Sequence, residues 1–149
     1  MATEKKVKKP KAESAEKANP KQVAKRLEAL GMEMVKDIQK GRDPEFKTQL
    51  RGKSNVEFDE KKGTLTLGDK ETRRTFLNMG HAKKFMQTTM ITAKTRDYLS
   101  HNKTASIREI YYELKHTVPN SNENTFDGQT ESDSIIVDLE HSVDTIREK

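Results

Sequence analysis

Residues 104–116, "TASIREIYYELKH", combine a helical pattern with two adjacent tyrosines. The apolar members recur at spacings of three and four: Ile107, Ile110, Tyr111 and Leu114. This period predicts an amphipathic helix. Thr104 or Ser106 would cap it, because a hydroxyl oxygen can accept a hydrogen bond from an amide of the first turn.

The helical period places the two tyrosines on different faces. Tyr111 shares the apolar face, so we expect it to pack in the core. Tyr112 lies about 100° further round, above Arg108 and beside Glu109. A phenol has a pKa near 10 in water, so as a nucleophile it needs help from a cation or a metal. Arg108 could lower that pKa or hold a phosphate, but an exposed tyrosine beside an arginine is also an ordinary surface feature.

The stretch after this helix predicts a loop and a second helix. Residues 117–129, "TVPNSNENTFDGQ", are rich in turn residues, and a helix follows from Thr130. Its inner stripe is formed by Ile135, Ile136, Leu139, Val143 and Ile146.

Before residue 104 the pattern changes from strands to a helix. The alternation in "NVEFDEKKGTLTLGD", residues 55–69, predicts a β-hairpin with a glycine-containing turn. A long helical region is expected after Asp69, with Phe76, Met79, Phe85, Met86 and Met90 as its apolar members. Its polar side would carry Arg73, Arg74, Lys83, Lys84, Lys94 and Arg96. Such a basic face is either solvated or in contact with phosphate.

The N-terminal part predicts a tail, a helix and a link. Residues 1–20 are rich in lysine and poor in large apolar residues, so we expect a disordered basic tail that contacts DNA or keeps the chain in solution. A helix is predicted from Pro20 to Gly41, with an apolar stripe of Val23, Leu27, Leu30, Met34 and Ile38. That stripe would pack on its own domain or on a partner. Residues 42–52 are interpreted as a link punctuated by proline and glycine.

These elements predict a mostly α-helical chain with a small β-hairpin. Helices flanking a hairpin are typical of a CAP-like helix-turn-helix or winged-helix domain. We assign residues 1–20 to the tail, 21–52 to the N-terminal helix and link, and 53–149 to the winged-helix-like domain.

Composition limits the chemistry of the chain. Among 149 residues, 31% are hydrophobic, 36% are charged and none is cysteine. Thiolate metal sites and disulfides are therefore excluded. No apolar run approaches the roughly 18 residues of a membrane span, and no signal peptide is visible, so we expect a cytoplasmic protein without membrane contact. The formal charge of +5 is compatible with a nucleic-acid partner.

Three blocks together resemble one family. These are "RGKSNVEFDEKKGTLTLGDKETRRTFLN" (51–78), "SIREIYY" (106–112) and "NTFDGQTESDSIIVDLE" (124–140). In this order they resemble the A subunit of archaeal type IIB topoisomerases, the topoisomerase VI family, which is related to the eukaryotic protein that makes meiotic double-strand breaks. The resemblance covers roughly residues 21–149.

The resemblance implies roles for individual residues. Tyr112 matches the family's catalytic tyrosine, and Arg108 matches the arginine that lies against the scissile phosphate. The expected reaction is an ATP-dependent double-strand cleavage and rejoining through a 5′-phosphotyrosine, which relaxes and decatenates DNA. Further DNA contacts are expected from Arg73, Arg74, Lys83, Lys84 and Ser106.

The resemblance also implies cofactors and partners. The family's A subunit continues into a Toprim domain that binds Mg²⁺, which we expect to be absent from this chain, so that no metal ligand lies in it. The chain would then be a nucleoid-associated fragment, or one part of a split protein with a separate Toprim-bearing chain, and it would be inactive without the Toprim domain and a B subunit. ATP would be bound by a GHKL-type B subunit in an A2B2 assembly, docked on Val23, Leu27, Leu30 and Met34. The alternatives are a non-catalytic DNA-binding or regulatory module and a scaffold that recruits the ATPase.

Overall fold

The computed structural model describes residues 19–61 and 63–143. Within these residues the chain forms four helices and two small antiparallel sheets, so the expectation of a mostly helical fold is confirmed. The predicted tail lies almost entirely outside the described residues, as does Ile146. None of the described helices is both long and apolar enough to cross a membrane.

Helix α1 spans Pro20–Gln39, as its apolar period predicts. Asn19 begins it, because its side-chain oxygen accepts a hydrogen bond from Lys21 N at 3.1 Å. Pro20 occupies the first turn, where its missing N–H costs no helical hydrogen bond. Gly41, with a φ of +67°, follows the end of the helix in a conformation that favours glycine.

Strand β1 (Glu45–Gln49) pairs antiparallel with strand β4 (Glu71–Thr75). The interpretation of residues 42–52 as a link punctuated by proline and glycine is therefore wrong for residues 45–49. So is the helix expected directly after Asp69, since Arg73 and Arg74 lie on β4 and Phe76 precedes the next helix. The sequence pattern did not predict these strands because β1 and β4 are both short and polar. In addition, each pairs with a strand that lies about twenty residues away along the chain.

The predicted hairpin is confirmed between these two strands. Strand β2 (Val56–Asp59) pairs with strand β3 (Thr64–Leu67), with Phe58 opposite Leu65. A 3-10 turn, Lys53–Asn55, leads into it, and the side chain of Asn55 is buried. Asn55 Nδ2 donates to the carbonyls of Leu50, Gly68 and Lys70, at 2.7, 3.1 and 3.2 Å. The base of the hairpin is thereby closed.

Three helices complete the fold: α2 (Met79–Ser100), α3 (Ile107–Leu114) and α4 (Gln129–Ser142). They share one apolar core with α1, formed by Val23, Leu27, Ile91, Tyr111, Phe126, Ile135, Leu139 and Val143. A smaller cluster of Met34, Phe46 and Phe85 joins α1, β1 and α2. Leu30 packs against both clusters, which places α1 firmly on the rest of the chain.

Candidate active site on helix α3

A capping box fixes the start of α3. Ser106 Oγ accepts a hydrogen bond from Glu109 N at 3.1 Å, and Glu109 Oε2 accepts one from Ser106 N at 3.3 Å. This reciprocal pair satisfies amides that an N-terminus otherwise leaves without partners. Of the two caps considered, the structure selects Ser106, whose side chain is therefore occupied by helix capping.

The structure confirms that the two tyrosines face different surroundings. Tyr111 is 7% exposed and packs edge-on against Phe126, with ring centroids 6.3 Å apart. Tyr112 is 66% exposed. Its ring centroid lies 5.2 Å from that of Tyr111, so the buried ring supports the exposed one. The side chain of Tyr112 is thus accessible from solvent.

A shallow depression surrounds Tyr112. It is lined by Ser106, Arg108, Glu109, Tyr112 and Glu113. Arg108 is exposed one helical turn before Tyr112, and it forms no hydrogen bond or ion pair with another of the described residues. Its guanidinium therefore keeps its donors available for an anion beside the tyrosine.

Lys115 adds a second cation near the tyrosine pair. Its Nζ lies 5.4 Å from the centroid of the Tyr111 ring. A hydrogen bond with the Tyr111 hydroxyl raises the pKa of Lys115 above its usual range. The ammonium therefore stays protonated at the C-terminal end of α3.

Helix α2 contacts the same site through Glu113, the residue after Tyr112. Lys94 Nζ lies 2.6 Å from Glu113 Oε2, and Tyr98 Oη donates to the same oxygen at 2.6 Å. The hydrogen bond from Lys94 has the largest effect on the pKa of Glu113, followed by the hydrogen bond from Tyr98. Together they hold that pKa below its usual range. Sequence reasoning did not single out this network, although the spacing of Lys94 and Tyr98 places both on one face of α2.

The other predicted DNA contacts already have intramolecular partners. Lys83 Nζ lies 2.6 Å from Asp127 Oδ2, and Lys84 Nζ lies 3.5 Å from Ser134 Oγ. Arg73 is mostly exposed and 3.9 Å from Glu45 Oε2. These three basic residues lie near α4 and the β1–β4 sheet. Ser106, in contrast, lies in the depression around Tyr112.

Arg74 is almost buried in an ion pair with Asp138 of α4. Arg51 Nε lies 2.8 Å from the other carboxylate oxygen of Asp138, whose side chain is 5% exposed. Two guanidinium groups thus converge on one carboxylate and join the β1–β4 sheet to α4. Sequence reasoning gave Asp138 no role, since an acid within an amphipathic helix is usually solvated.

Polar contacts also fix the loop between α3 and α4. Gln87 is fully buried, and its Nε2 donates to Thr125 O at 2.8 Å and to Glu131 Oε2 at 2.9 Å. Thr125 Oγ1 donates to Leu114 O at 2.7 Å. The end of α3 and the start of α4 are therefore held together by α2.

The apolar stripe of α1 faces the chain's own core. Val23, Leu27 and Met34 are buried, and Leu30 is partly buried. Ile38, the last member of the predicted stripe, is instead 62% exposed near the end of the helix, and Met32 and Val35 are 52% and 44% exposed. Contact with a partner would therefore use these three outward residues first.

Within the described ranges, no group of three or more histidine, aspartate and glutamate side chains could hold a metal ion. The acids nearest to Tyr112 are already used, Glu109 in the capping box and Glu113 in the contact with α2. The described residues therefore do not fit a site for the Mg²⁺ ion, which the resemblance assigns to a Toprim domain.

Comparison with known proteins gives a consistent result. Residues 83–149 match the family described as type IIB DNA topoisomerase. The chain is 46% identical over 131 residues to the A subunit of type 2 DNA topoisomerase 6 from Pyrococcus horikoshii, covering 88% of this chain and 34% of that protein. The corresponding protein of Pyrococcus abyssi is 45% identical over the same shares. That of Methanocaldococcus jannaschii is 36% identical over 87% of this chain and 34% of its own length. The chain spans about a third of the length of these relatives.

Proposed function

The chain belongs to the type IIB DNA topoisomerase family, and on this premise we propose that it carries the nucleophile of a DNA-cleaving transesterification. The observation that carries this proposal is the contrast between the tyrosines of α3. Tyr112 is exposed beside Arg108, whose donors are available, whereas Tyr111 is buried in the core.

The proposed reaction conserves bonds and involves no oxidation. Tyr112 Oη attacks a phosphorus atom of the DNA backbone and loses its proton to solvent. The new O–P bond forms as the bond from phosphorus to the 3′ oxygen breaks, and that oxygen takes up a proton. The products are a 5′-phosphotyrosine and a 3′-hydroxyl. The reverse attack by the 3′-hydroxyl reseals the strand.

Arg108 is the second residue of the proposed mechanism. Its guanidinium can donate two parallel hydrogen bonds to phosphate oxygens, which orients the phosphorus toward Tyr112 and stabilises the charge that develops during attack. Bound Mg²⁺ would add further stabilisation of that charge. Since the described residues do not fit a metal site, we expect it from another part of the assembly.

We extend the proposal to the rest of the module and its assembly. Helices α2 to α4 would form a winged-helix-like surface that places α3 against duplex DNA, with the sheet around Arg73 and Arg74 as support. Two copies would cut the two strands, and a B-type ATPase would drive the cycle. Because Leu27 is buried, the outward residues Val35 and Ile38 are the better sites for testing that partner.

The test of the nucleophile exchanges one hydroxyl at a time. This chain would replace the matching third of the relative from Pyrococcus horikoshii, assembled with its ATPase partner, Mg²⁺, ATP and end-labelled duplex DNA. Covalent adducts are then trapped by detergent. We expect Tyr112→Phe to abolish the adduct and Tyr111→Phe, the matched control, to retain it.

Two results would contradict this assignment. An adduct that survives Tyr112→Phe would show that another group attacks the phosphate. Loss with Tyr111→Phe alone, in a protein of unchanged thermal stability, would move the role one residue back. Duplex binding without any adduct in the unsubstituted assembly would favour the non-catalytic DNA-binding alternative.

A further inference from the structure

Two carboxylates flank the proposed nucleophile. Glu109 and Glu113 both line the depression around Tyr112, where a DNA phosphate would have to approach. Like charges within a few ångströms repel each other, and a dianionic environment would oppose binding of the phosphate. The site must therefore neutralise these acids or direct them away from the phosphate.

Each carboxylate has its own means of compensation. Glu109 is turned back onto the start of α3 by its hydrogen bond with Ser106 N. Glu113 is turned toward α2, where Lys94 and Tyr98 both contact its Oε2. Lys94 Nζ also lies 5.0 Å from the centroid of the Tyr98 ring, so the three side chains form one compact cluster.

We propose that Lys94 is a positioning residue for the DNA phosphate: it holds the Glu113 carboxylate against α2 and neutralises it, so that Arg108 and Tyr112 receive the phosphate without repulsion. This inference rests on the proposed function of Tyr112. Lys94 does not touch the phosphate itself; it acts through Glu113. Because Glu113 lies on α3 and both Lys94 and Tyr98 lie on α2, the cluster also links the two helices next to the tyrosine.

This role makes a distinctive prediction about pairs of substitutions. Removal of Lys94 alone leaves the Glu113 charge uncompensated beside the phosphate, so binding of DNA weakens. Removal of both charges eliminates the repulsion, so binding recovers. If Lys94 contacted the phosphate directly, the affinity would not recover in the double variant. Removal of Glu113 would not replace the lost contact between lysine and phosphate.

The experiment measures duplex affinity of this chain by fluorescence anisotropy at fixed salt. We expect Lys94→Met to weaken binding about three- to tenfold, the scale of one screened charge contact. Lys94→Met with Glu113→Gln should return to within about twofold of the unsubstituted chain on the same scale. Lys94→Arg, which keeps the charge, should bind as the unsubstituted chain does.

Matched variants separate this effect from a general loss of positive charge. Lys47 and Glu45 form another lysine–glutamate pair, 3.2 Å apart on β1, so Lys47→Met reports the general effect. In an Arg108→Ala background, Lys94→Met should cause no further weakening, since the phosphate is no longer held at this site. Thermal unfolding of each variant confirms that it is folded.

Several outcomes would overturn the inference. These are an effect of Lys94→Met no larger than that of Lys47→Met, the absence of recovery in the double variant, and additivity with Arg108→Ala. The outcome is separable from that of the proposed function, because the affinity measurements do not depend on cleavage. Absence of a Tyr112-dependent adduct would refute the proposed role of Tyr112 as the nucleophile, but it would leave the proposed role of Lys94 in binding intact.

Discussion

At the scale of single residues, Asp138 is the point where a small change should have the largest effect on stability. It is buried between Arg51 and Arg74, and its carboxylate compensates two guanidinium groups. A buried pair of this kind need not stabilise the fold relative to apolar residues, but removal of one partner leaves a buried charge without compensation.

We therefore expect Asp138→Asn to lower the free energy of unfolding by about 3–5 kcal/mol. The measurement is urea unfolding followed by circular dichroism. The matched control is Asp127→Asn, which breaks the exposed pair with Lys83 and should cost less than about 1 kcal/mol. Equal losses in the two variants would contradict the proposed importance of burial.

Residue geometry also explains how much of the site can be read from the sequence. The separation of Tyr111 from Tyr112 follows from the helical period, because adjacent positions differ by about 100° around the axis. The contact of Glu113 with Lys94 and Tyr98 depends instead on how α2 packs on α3. A single sequence holds no direct record of that packing.

At the scale of elements, the N-terminus of α3 is a local feature that sequence alone specifies. Ser106 and Glu109 stand at the spacing of a capping box, and both reciprocal hydrogen bonds are present. This helix has only two turns, so its stability depends strongly on its cap and its buried face.

Ser106→Ala should destabilise α3 by about 1 kcal/mol, since an amide of the first turn loses its acceptor. Hydrogen exchange of the α3 amides is the appropriate measurement, and their exchange should become faster before that of α2. Ser106→Thr keeps the hydroxyl and serves as the control. Unchanged exchange in Ser106→Ala would mean that packing of Tyr111 alone maintains the helix.

The strands show which secondary structure can be predicted from a local sequence pattern and which cannot. The β2–β3 hairpin was predictable because its strands are neighbours and its turn contains glycine. Strands β1 and β4 were not, because each is short and rich in polar residues, and Glu45 finds its partner Thr75 only after the hairpin intervenes. Their strand character comes from tertiary context rather than from propensity.

At the scale of the whole molecule, the link between α2 and α3 should appear in the dependence of stability on pH. The pKa of Glu113 is lowered in the folded chain by its hydrogen bonds with Lys94 and Tyr98. The carboxylate therefore contributes stability above its unfolded pKa of about 4.3, and that contribution is lost as the pH falls through the lower folded pKa.

We expect the unsubstituted chain to lose more thermal stability between pH 6 and pH 3 than Glu113→Gln does, where these pH values bracket roughly the carboxyl range. On the alkaline side, hydrogen bonding with Glu113 raises the pKa values of Lys94 and Tyr98. Their contribution is present below about pH 10 and is lost as the pH rises through the raised values. Parallel acid profiles for the two proteins would contradict this linkage.

Asn55 closes the base of the hairpin, and this has a consequence for where the chain tolerates an insertion. Gln49 and Glu71 stand opposite each other on β1 and β4, so the path through residues 50–70 leaves and rejoins the sheet at one place. The residues beyond the base of the hairpin form an excursion from the sheet. Their number therefore does not set the distance between the elements of the core. The tip near Gly63 is consequently the natural position for a genetically inserted fluorophore or tag. A reporter there would allow the proposed binding to DNA to be tested while α3 keeps its own surroundings.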